Sequence, residues 1–336
     1  MTISPRPARP GLTRRKFRPR GSRLRRATVR VAAIATIVLG SAAVAVPAQA
    51  SFPGRDGRIV FQVDAPVCCD IFTVRPDGTG VRRLTHLVPQ AAARRASWSP
   101  DGRHIVYEVS HPNASLAAVQ VWVMNADGTG QHRLVADPFF QDLMPTYSPD
   151  GSKVVYSRCR PDFSACPLYR VDADGTHLHA LTPTRTEINN FFAKYSPDGR
   201  RIAFSSFSRG GVQGAVYVMN ADGTGVRRLT PAWLGGFAPD WSPDGRQLVV
   251  VNNCCTNAIV GLWRINVDGT GLTQLTRPQG GRNDFRGIWA PSGRWIVFGR
   301  FAADFSHADM WLMRPDGSGA HLIRRNTDPT GWGSAP

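Results

Sequence analysis

Three sets of side chains in this chain are of types that do chemistry. Asp142, Asp240, Asp284 and Asp328 could serve acid–base or nucleophilic roles on a glycan, since paired carboxylates carry that reaction. His86, His111 and His307 could bind a metal through their imidazoles. Six cysteines, Cys68, Cys69, Cys159, Cys166, Cys254 and Cys255, could form disulfides. Glutamate is scarce: Glu108 and Glu187 are far apart in the chain. No Gly-x-Ser-x-Gly elbow and no His-Glu-x-x-His occurs, which removes the familiar serine-hydrolase and zinc-protease arrangements. The Gly-Thr-Gly strings precede no helix and so do not read as phosphate loops. Asp172-Ala-Asp174-Gly begins like a calcium loop but lacks the later bidentate Glu, and reads as a hairpin turn. No catalytic residue, metal or cofactor is assigned on this basis.

What positions these residues is a repeat. Ser-Pro-Asp-Gly, or a close variant, has its Pro at 100, 149, 197, 243 and 291. Asp-Gly-Thr-Gly, or a close variant, has its Asp at 77, 127, 174, 222, 268 and 316. The spacing stays between 46 and 50 residues, so the chain holds six repeats. In the first turn Pro presets φ and Gly supplies the positive φ that closes a hairpin. The second turn closes another. Between them lie β-branched and aromatic runs such as Ile105-Val-Tyr-Glu-Val and Val121-Trp-Val-Met, which predict strands. Four strands, A to D, repeated six times predict an all-β six-bladed propeller. Trp98, Tyr147, Tyr195, Trp241 and Trp289 share one position in strand A. The first repeat lacks that strand, and the missing aromatic returns as Trp332. The C-terminal segment is therefore predicted to supply strand A of blade 1 and close the ring.

The repeats Trp98-Ser-Pro-Asp-Gly…Met124-Asn-Ala-Asp-Gly-Thr-Gly and Tyr195-Ser-Pro-Asp-Gly…Met219-Asn-Ala-Asp-Gly-Thr-Gly resemble the WD-type repeats of the TolB-like propeller family. The resemblance covers nearly all of 57–333. Ala290-Pro-Ser-Gly and His177 are local departures from the pattern. No segment is expected to encode the N-terminal α/β domain that TolB itself carries. The resemblance implies binding rather than catalysis.

Strand order puts the two Gly-containing turns on one face and the B–C and D–A connections on the other. The first face is nearly uniform across repeats; the second carries the variation, and variable loops on a rigid scaffold are where binding usually sits. Four residues before the aligned aromatic stand Arg94, Leu143, Phe191, Phe237, Phe285 and Asp328, with Arg95, Met144, Phe192 and Arg286 beside them. These positions are expected in D–A loops at the ring mouth, together with Trp233, Arg185, Arg277 and Arg282 further out. Arginines and aromatics of this kind suit a protein tail or an anionic ligand, and Arg94, Arg95, Phe191, Phe237, Phe285 and Arg286 are the candidate partner-binding set. The bland alternative is that each Phe plugs the narrow end of the core. All six cysteines fall on or near B–C connections. Cys159 and Cys166 flank one hairpin loop and form the expected pair, worth about 2.5 kcal/mol in the chain-entropy model. Cys68 with Cys69, and Cys254 with Cys255, either bond within themselves or pair elsewhere.

Residues 1–50 read as an export segment. Eleven of the 41 Lys and Arg residues, and none of the 24 acids, lie in residues 1–30. An apolar run follows from Val31 to Val46, then Ala48-Gln-Ala50, a cleavage site before Ser51. Thr13-Arg-Arg-Lys-Phe17 resembles a twin-arginine motif, and the ordinary secretory route fits as well. Residues 51–336 then form the propeller with a net charge of only about +6, against +17 for the whole chain. That balance gives no footprint for nucleic acid, and no membrane span is expected in the mature chain. The sequence thus predicts an exported binding or scaffold propeller whose partner is a protein or a cell-envelope polymer. The alternative is a glycan-acting lyase or hydrolase using Asp and His at the ring mouth.

Overall fold

The computed structural model describes residues 53–63, 70–87, 91–111, 119–135, 137–184, 188–208, 214–252 and 260–335. Among them are 24 strands in six four-stranded antiparallel sheets, and no helix. The protein is a six-bladed β-propeller. The strand Asp328–Ser334 pairs antiparallel with Asp56–Gln62, and Trp332 stands opposite Ile59. The ring therefore closes as the repeat pattern predicts, with the chain's last strand as strand A of blade 1.

Each blade follows from its local chemistry. At the A–B turn of blade 2, Ser99 Oγ donates to Asp101 Oδ1 at 2.6 Å and accepts the His104 amide at 2.8 Å. Asp101 Oδ1 also accepts the Arg103 amide. Blades 3, 4 and 5 repeat the arrangement with Ser148 and Asp150, Ser196 and Asp198, and Ser242 and Asp244. Blade 6 has Ala290 and Ser292 instead, and Asp56 of blade 1 reaches across to bond the Ser292 amide and hydroxyl, both at 2.9 Å. At the C–D turns Asp127, Asp222 and their counterparts accept both the amide and the hydroxyl of the Thr two residues on.

The Leu-Thr that ends most repeats holds the blade's edge. Thr85, Thr182, Thr230 and Thr276 are buried, and each hydroxyl accepts an amide near the start of its own strand C, from Ile71, Leu168, Val216 and Leu262 in turn, at 2.8 to 3.0 Å. Strand D itself is short, only two residues in five blades, and pairs such as Arg82–Arg83 and Arg227–Arg228 are exposed there. A short, charged outer strand resists edge-to-edge pairing with another chain.

Strand B lies inside each blade and is packed against both neighbouring blades, so its first half, as in Ile105-Val-Tyr, Val154-Val-Tyr and Leu248-Val-Val-Val, is a continuous apolar run rather than an alternating one. The apolar clusters cross blade boundaries: one contains Val60 of blade 1, Trp98, Tyr107 and Met124 of blade 2, and Tyr147 and Tyr156 of blade 3. The glycine of each C–D turn belongs to that packing. Gly223 has φ +92°, and a Cβ there would stand 2.4 Å from the Leu181 carbonyl oxygen of the preceding blade. The turn glycine thus serves two ends, a left-handed backbone and a close inter-blade approach.

Candidate functional site at the channel mouth

A channel runs through the centre of the ring, lined by the six innermost strands. Its mouth is formed by Arg95, Met144, Phe192, Ala238 and Arg286. All five have positive φ, between 48° and 55°. Each sits at a register shift where strand A departs from strand B, for example between Arg94 and Ser97 and between Phe285 and Ile288. A bulge at a barrel or ring rim re-aims side chains, and a non-Gly residue at positive φ stores about 1–2 kcal/mol of backbone strain. The sixth equivalent is Pro329, whose ring forbids that conformation.

The bulges are held from the neighbouring blade. Gln62 Oε1 accepts the Arg95 amide at 3.1 Å, Glu108 Oε1 accepts the Met144 amide at 2.5 Å, and Ser205 Oγ accepts the Ala238 amide at 2.9 Å. Gln62, Glu108 and Ser205 share one position of strand B. In blade 6 that position is Gly299, and the residue it faces in blade 1 is Pro329, which has no amide hydrogen to satisfy. A Cβ at Gly299 would come within 3.0 Å of Asp328 Oδ1, so the carboxylate fills the space a side chain would take.

The predicted partner-binding residues fall on this rim, with one correction. Arg94, Phe191, Phe237 and Phe285 lie within strand A, at or near its beginning, and not in the D–A loops. The bulge lengthens strand A past the point where repeat spacing alone would start it. Arg94 is exposed, Phe191 and Phe285 are half-buried, and Phe237 is buried. The rim is two-sided. Across blades 4 to 6 runs an aromatic chain, with Phe192 to Phe237 at 6.1 Å, Phe237 to Phe285 at 5.8 Å, and Phe285 to Phe305 at 5.9 Å between ring centroids. Across blades 6, 1 and 2 the rim is charged: Arg286 pairs with Asp328, and Arg95 lies 3.6 Å from Glu108. Burial pushes the Glu108 carboxyl above its ordinary range, while the Arg95 charge and the Met144 amide hold it down.

The four candidate acids also lie on strand A and do not converge. Asp142 takes two 2.8 Å bonds from Arg158, whose guanidinium lies over the Phe140, Tyr156 and Tyr169 rings. Asp284 is bound the same way by Arg300, at 2.7 and 2.9 Å. Asp328 is held by Arg286 and Gln62. Only Asp240 lines the channel. His86, His111 and His307 are all exposed, and among the described residues no group of three His, Cys, Asp or Glu could hold a metal. Cys159 and Cys166 are joined by a disulfide that packs against Leu143, Met144 and Phe191, beneath the rim. Cys68, Cys69, Cys254, Cys255 and Arg185 lie outside the described residues.

One site residue went unread in the sequence. The column just before the aligned aromatic is Ser97, Thr146, Lys194, Asp240, Ile288 and Gly331, and it forms the waist of the channel. Aligning the repeats would have shown a lysine and an aspartate in adjacent blades there. Burial lowers the Lys194 ammonium and raises Asp240 to about 6, while each partly offsets the other's shift by its opposite charge. Asp240 accepts the Trp289 amide at 2.9 Å.

This architecture defines a propeller of the TolB class. Residues 116–327 match PD40, the TolB beta propeller domain, and the chain belongs to that family. Among solved structures, a putative TolB from Agrobacterium tumefaciens is similar, with TM-score 0.63 and 21% identity, covering 81% of this chain and 91% of that one. A chain of the nidogen/laminin complex is similar at TM-score 0.62 and 12% identity, covering 82% and 98%. An oligogalacturonate lyase in complex with manganese is similar at TM-score 0.55 and 14% identity, covering 82% and 77%. No curated protein sequence matches the chain.

Proposed function

We propose that residues 1–50 export this chain and that residues 51–336 act outside the cytoplasm as a binding or scaffold module. The partner is a protein or a cell-envelope polymer, engaged through the loop face around the channel mouth. One observation carries the reading. Among the described residues, five large apolar side chains stand exposed on that face: Phe139, Phe163, Ile188, Trp233 and Phe305, from 39% exposed at Ile188 to 70% at Trp233. Exposed apolar groups gathered on one face mark interaction sites. Arg94, Arg95, Phe191, Phe237, Phe285 and Arg286 edge the same rim, and Arg and aromatics are the residue types that anchor interfaces. The Cys159–Cys166 disulfide suits an oxidising compartment. No helix among the described residues is long and apolar enough to cross a membrane.

The experiment is an affinity capture from envelope extract with three baits. One is the wild-type protein, one carries Phe139→Ser, Trp233→Ser and Phe305→Ser, and one carries Val81→Ser, Leu178→Ser and Val226→Ser on the turn face. A partner kept by the first and third baits and lost by the second supports the reading. Equal capture by all three sinks it. These residues serve better than Arg95 and Arg286, whose removal would take the paired cation from the buried Glu108 and Asp328 carboxylates.

A second reading, a glycan-acting lyase or hydrolase, draws support from the shared fold of the oligogalacturonate lyase. Its test is depolymerisation of uronate and neutral glycans with and without manganese. Product formation that an Asp240→Asn variant loses would move this reading ahead.

A further inference from the structure

The chain uses arginine almost wherever it needs a cation. Among 41 Lys and Arg residues the lysines are Lys16, Lys153 and Lys194 alone. Lys153 is on the surface and pairs with Asp172 at 2.8 Å. Lys194 lines the channel at its waist. Its neighbours in the lining include the apolar Met144, Phe192 and Ile288, the hydroxyls of Ser97, Thr146 and Thr330, and at the mouth the cations Arg95 and Arg286, each set against a carboxylate of its own. Among the described residues no hydrogen bond or ion pair within 4.0 Å engages the Lys194 amine. Asp240 shares the same cavity.

A cation placed there to hold an anion would be better supplied as arginine, which stays charged and bonds carboxylates in a fork. What lysine alone offers is a nitrogen that can lose its proton. Desolvation favours the neutral amine, and the Asp240 charge offsets this only in part; a desolvated amine beside other cations is an activated nucleophile toward carbonyl carbon. We propose that Lys194 is a nucleophilic amine that captures a small aldehyde as an imine inside the channel, with Asp240 moving the proton. The neutral Nζ attacks the aldehyde carbon and the C=O pair moves to oxygen. A proton passes from nitrogen to that oxygen through the Asp240 carboxyl. The carbinolamine then leaves its hydroxyl as water, protonated by Asp240, and the iminium returns a proton to the carboxylate. The balance is one aldehyde and one amine to one imine and one water, with no oxidant or reductant. The partner proposed is a small unbranched aldehyde, whose alkyl part suits the Met144, Phe192 and Ile288 side chains of the lining.

The experiment treats the purified protein with propionaldehyde and cyanoborohydride, and compares alkylation of Lys194 and Lys153 by peptide mass mapping between pH 6 and 9. Lys194 is expected to react at least tenfold faster than Lys153 at pH 7. Its rate is expected to fall less steeply with acidification, because an amine whose pKa is lowered approaches its neutral plateau within this pH range. Asp240→Asn is expected to slow the Lys194 reaction while leaving that of Lys153 unchanged. Equal or slower reaction at Lys194 overturns the proposal, and so does a parallel pH dependence at the two lysines. The comparison is internal to the wild-type protein, so it does not depend on a variant folding.

Discussion

The two faces of this ring are made by the same six repeats and differ in what their residues are engaged with. On the turn face nearly every polar group is spent locally. Ser, Asp, Thr and Asn close their own turns, and the glycines let each turn dock on the blade before it. On the mouth face the repeats diverge. Non-glycine residues hold the backbone at positive φ, the bracing side chains come from the preceding blade, and large apolar groups stand in solvent. Uniformity marks the face that builds the ring. Divergence carried together with backbone strain is the mark of the proposed contact face.

The largest effect that could break this contrast is on the turn face. Gly223→Ala combines φ +92° with a 2.4 Å clash on a backbone oxygen. It is expected to cost about 3 kcal/mol, a drop in Tm of roughly 10 °C for a domain of this size. Gly269→Ala has the same backbone strain, but its Cβ would stand 3.9 Å from the Leu229 oxygen. It should lose about half as much in the same thermal scan. Equal losses would mean that φ alone, and not inter-blade docking, requires the glycine.

Next is the channel. The folded protein holds the Asp240 proton up to about pH 6, whereas the unfolded chain releases it near 3.8. The folded state binds more protons between these values, so stability is expected to fall as pH rises from about 4 to about 6. The contribution is at most about 3 kcal/mol, and Asp240→Asn should remove it from the urea-denaturation profile. A slope unchanged by that substitution would assign it to another group, such as Glu108.

Opening the disulfide by Cys159→Ser with Cys166→Ser is expected to cost about 2.5 kcal/mol by the chain-entropy model. Because the bridge packs under Leu143, Met144 and Phe191, the loss should come with faster hydrogen exchange at the rim of blade 3 and little change at the turns. Smaller again is Ser205→Ala, which frees the Ala238 amide and should cost about 1 kcal/mol. Smallest in stability is the Phe139, Trp233 and Phe305 triple change to Ser. Tm should move by no more than a degree or two, although partner capture is expected to be lost.

Much of this was legible from the chain. Two turn motifs at a regular spacing give strand count, blade count and the division into two faces, because Pro, Asp and Gly act on their own few residues. The stray Trp332 gives ring closure, since an aligned aromatic missing at one end and present at the other names its own place. Cys159 and Cys166 flank one loop, so their pairing needs no long-range knowledge.

Other features depend on which blade stands beside which, and on how strand A bends. Repeat spacing put Arg94 and Phe285 in loops because a bulge leaves no mark in composition. Glu108 bracing Met144 spans blades, and so does Arg286 meeting Asp328. Asp142 and Asp284 are candidate acids by sequence, and only the paired strands set Arg158 and Arg300 against them. The sequence by itself determined the propeller, because its turns and strands are local chemistry repeated six times. Only the tertiary structure decided that Lys194 and Asp240 share one channel, because desolvation and charge coupling belong to the closed ring and to no single repeat.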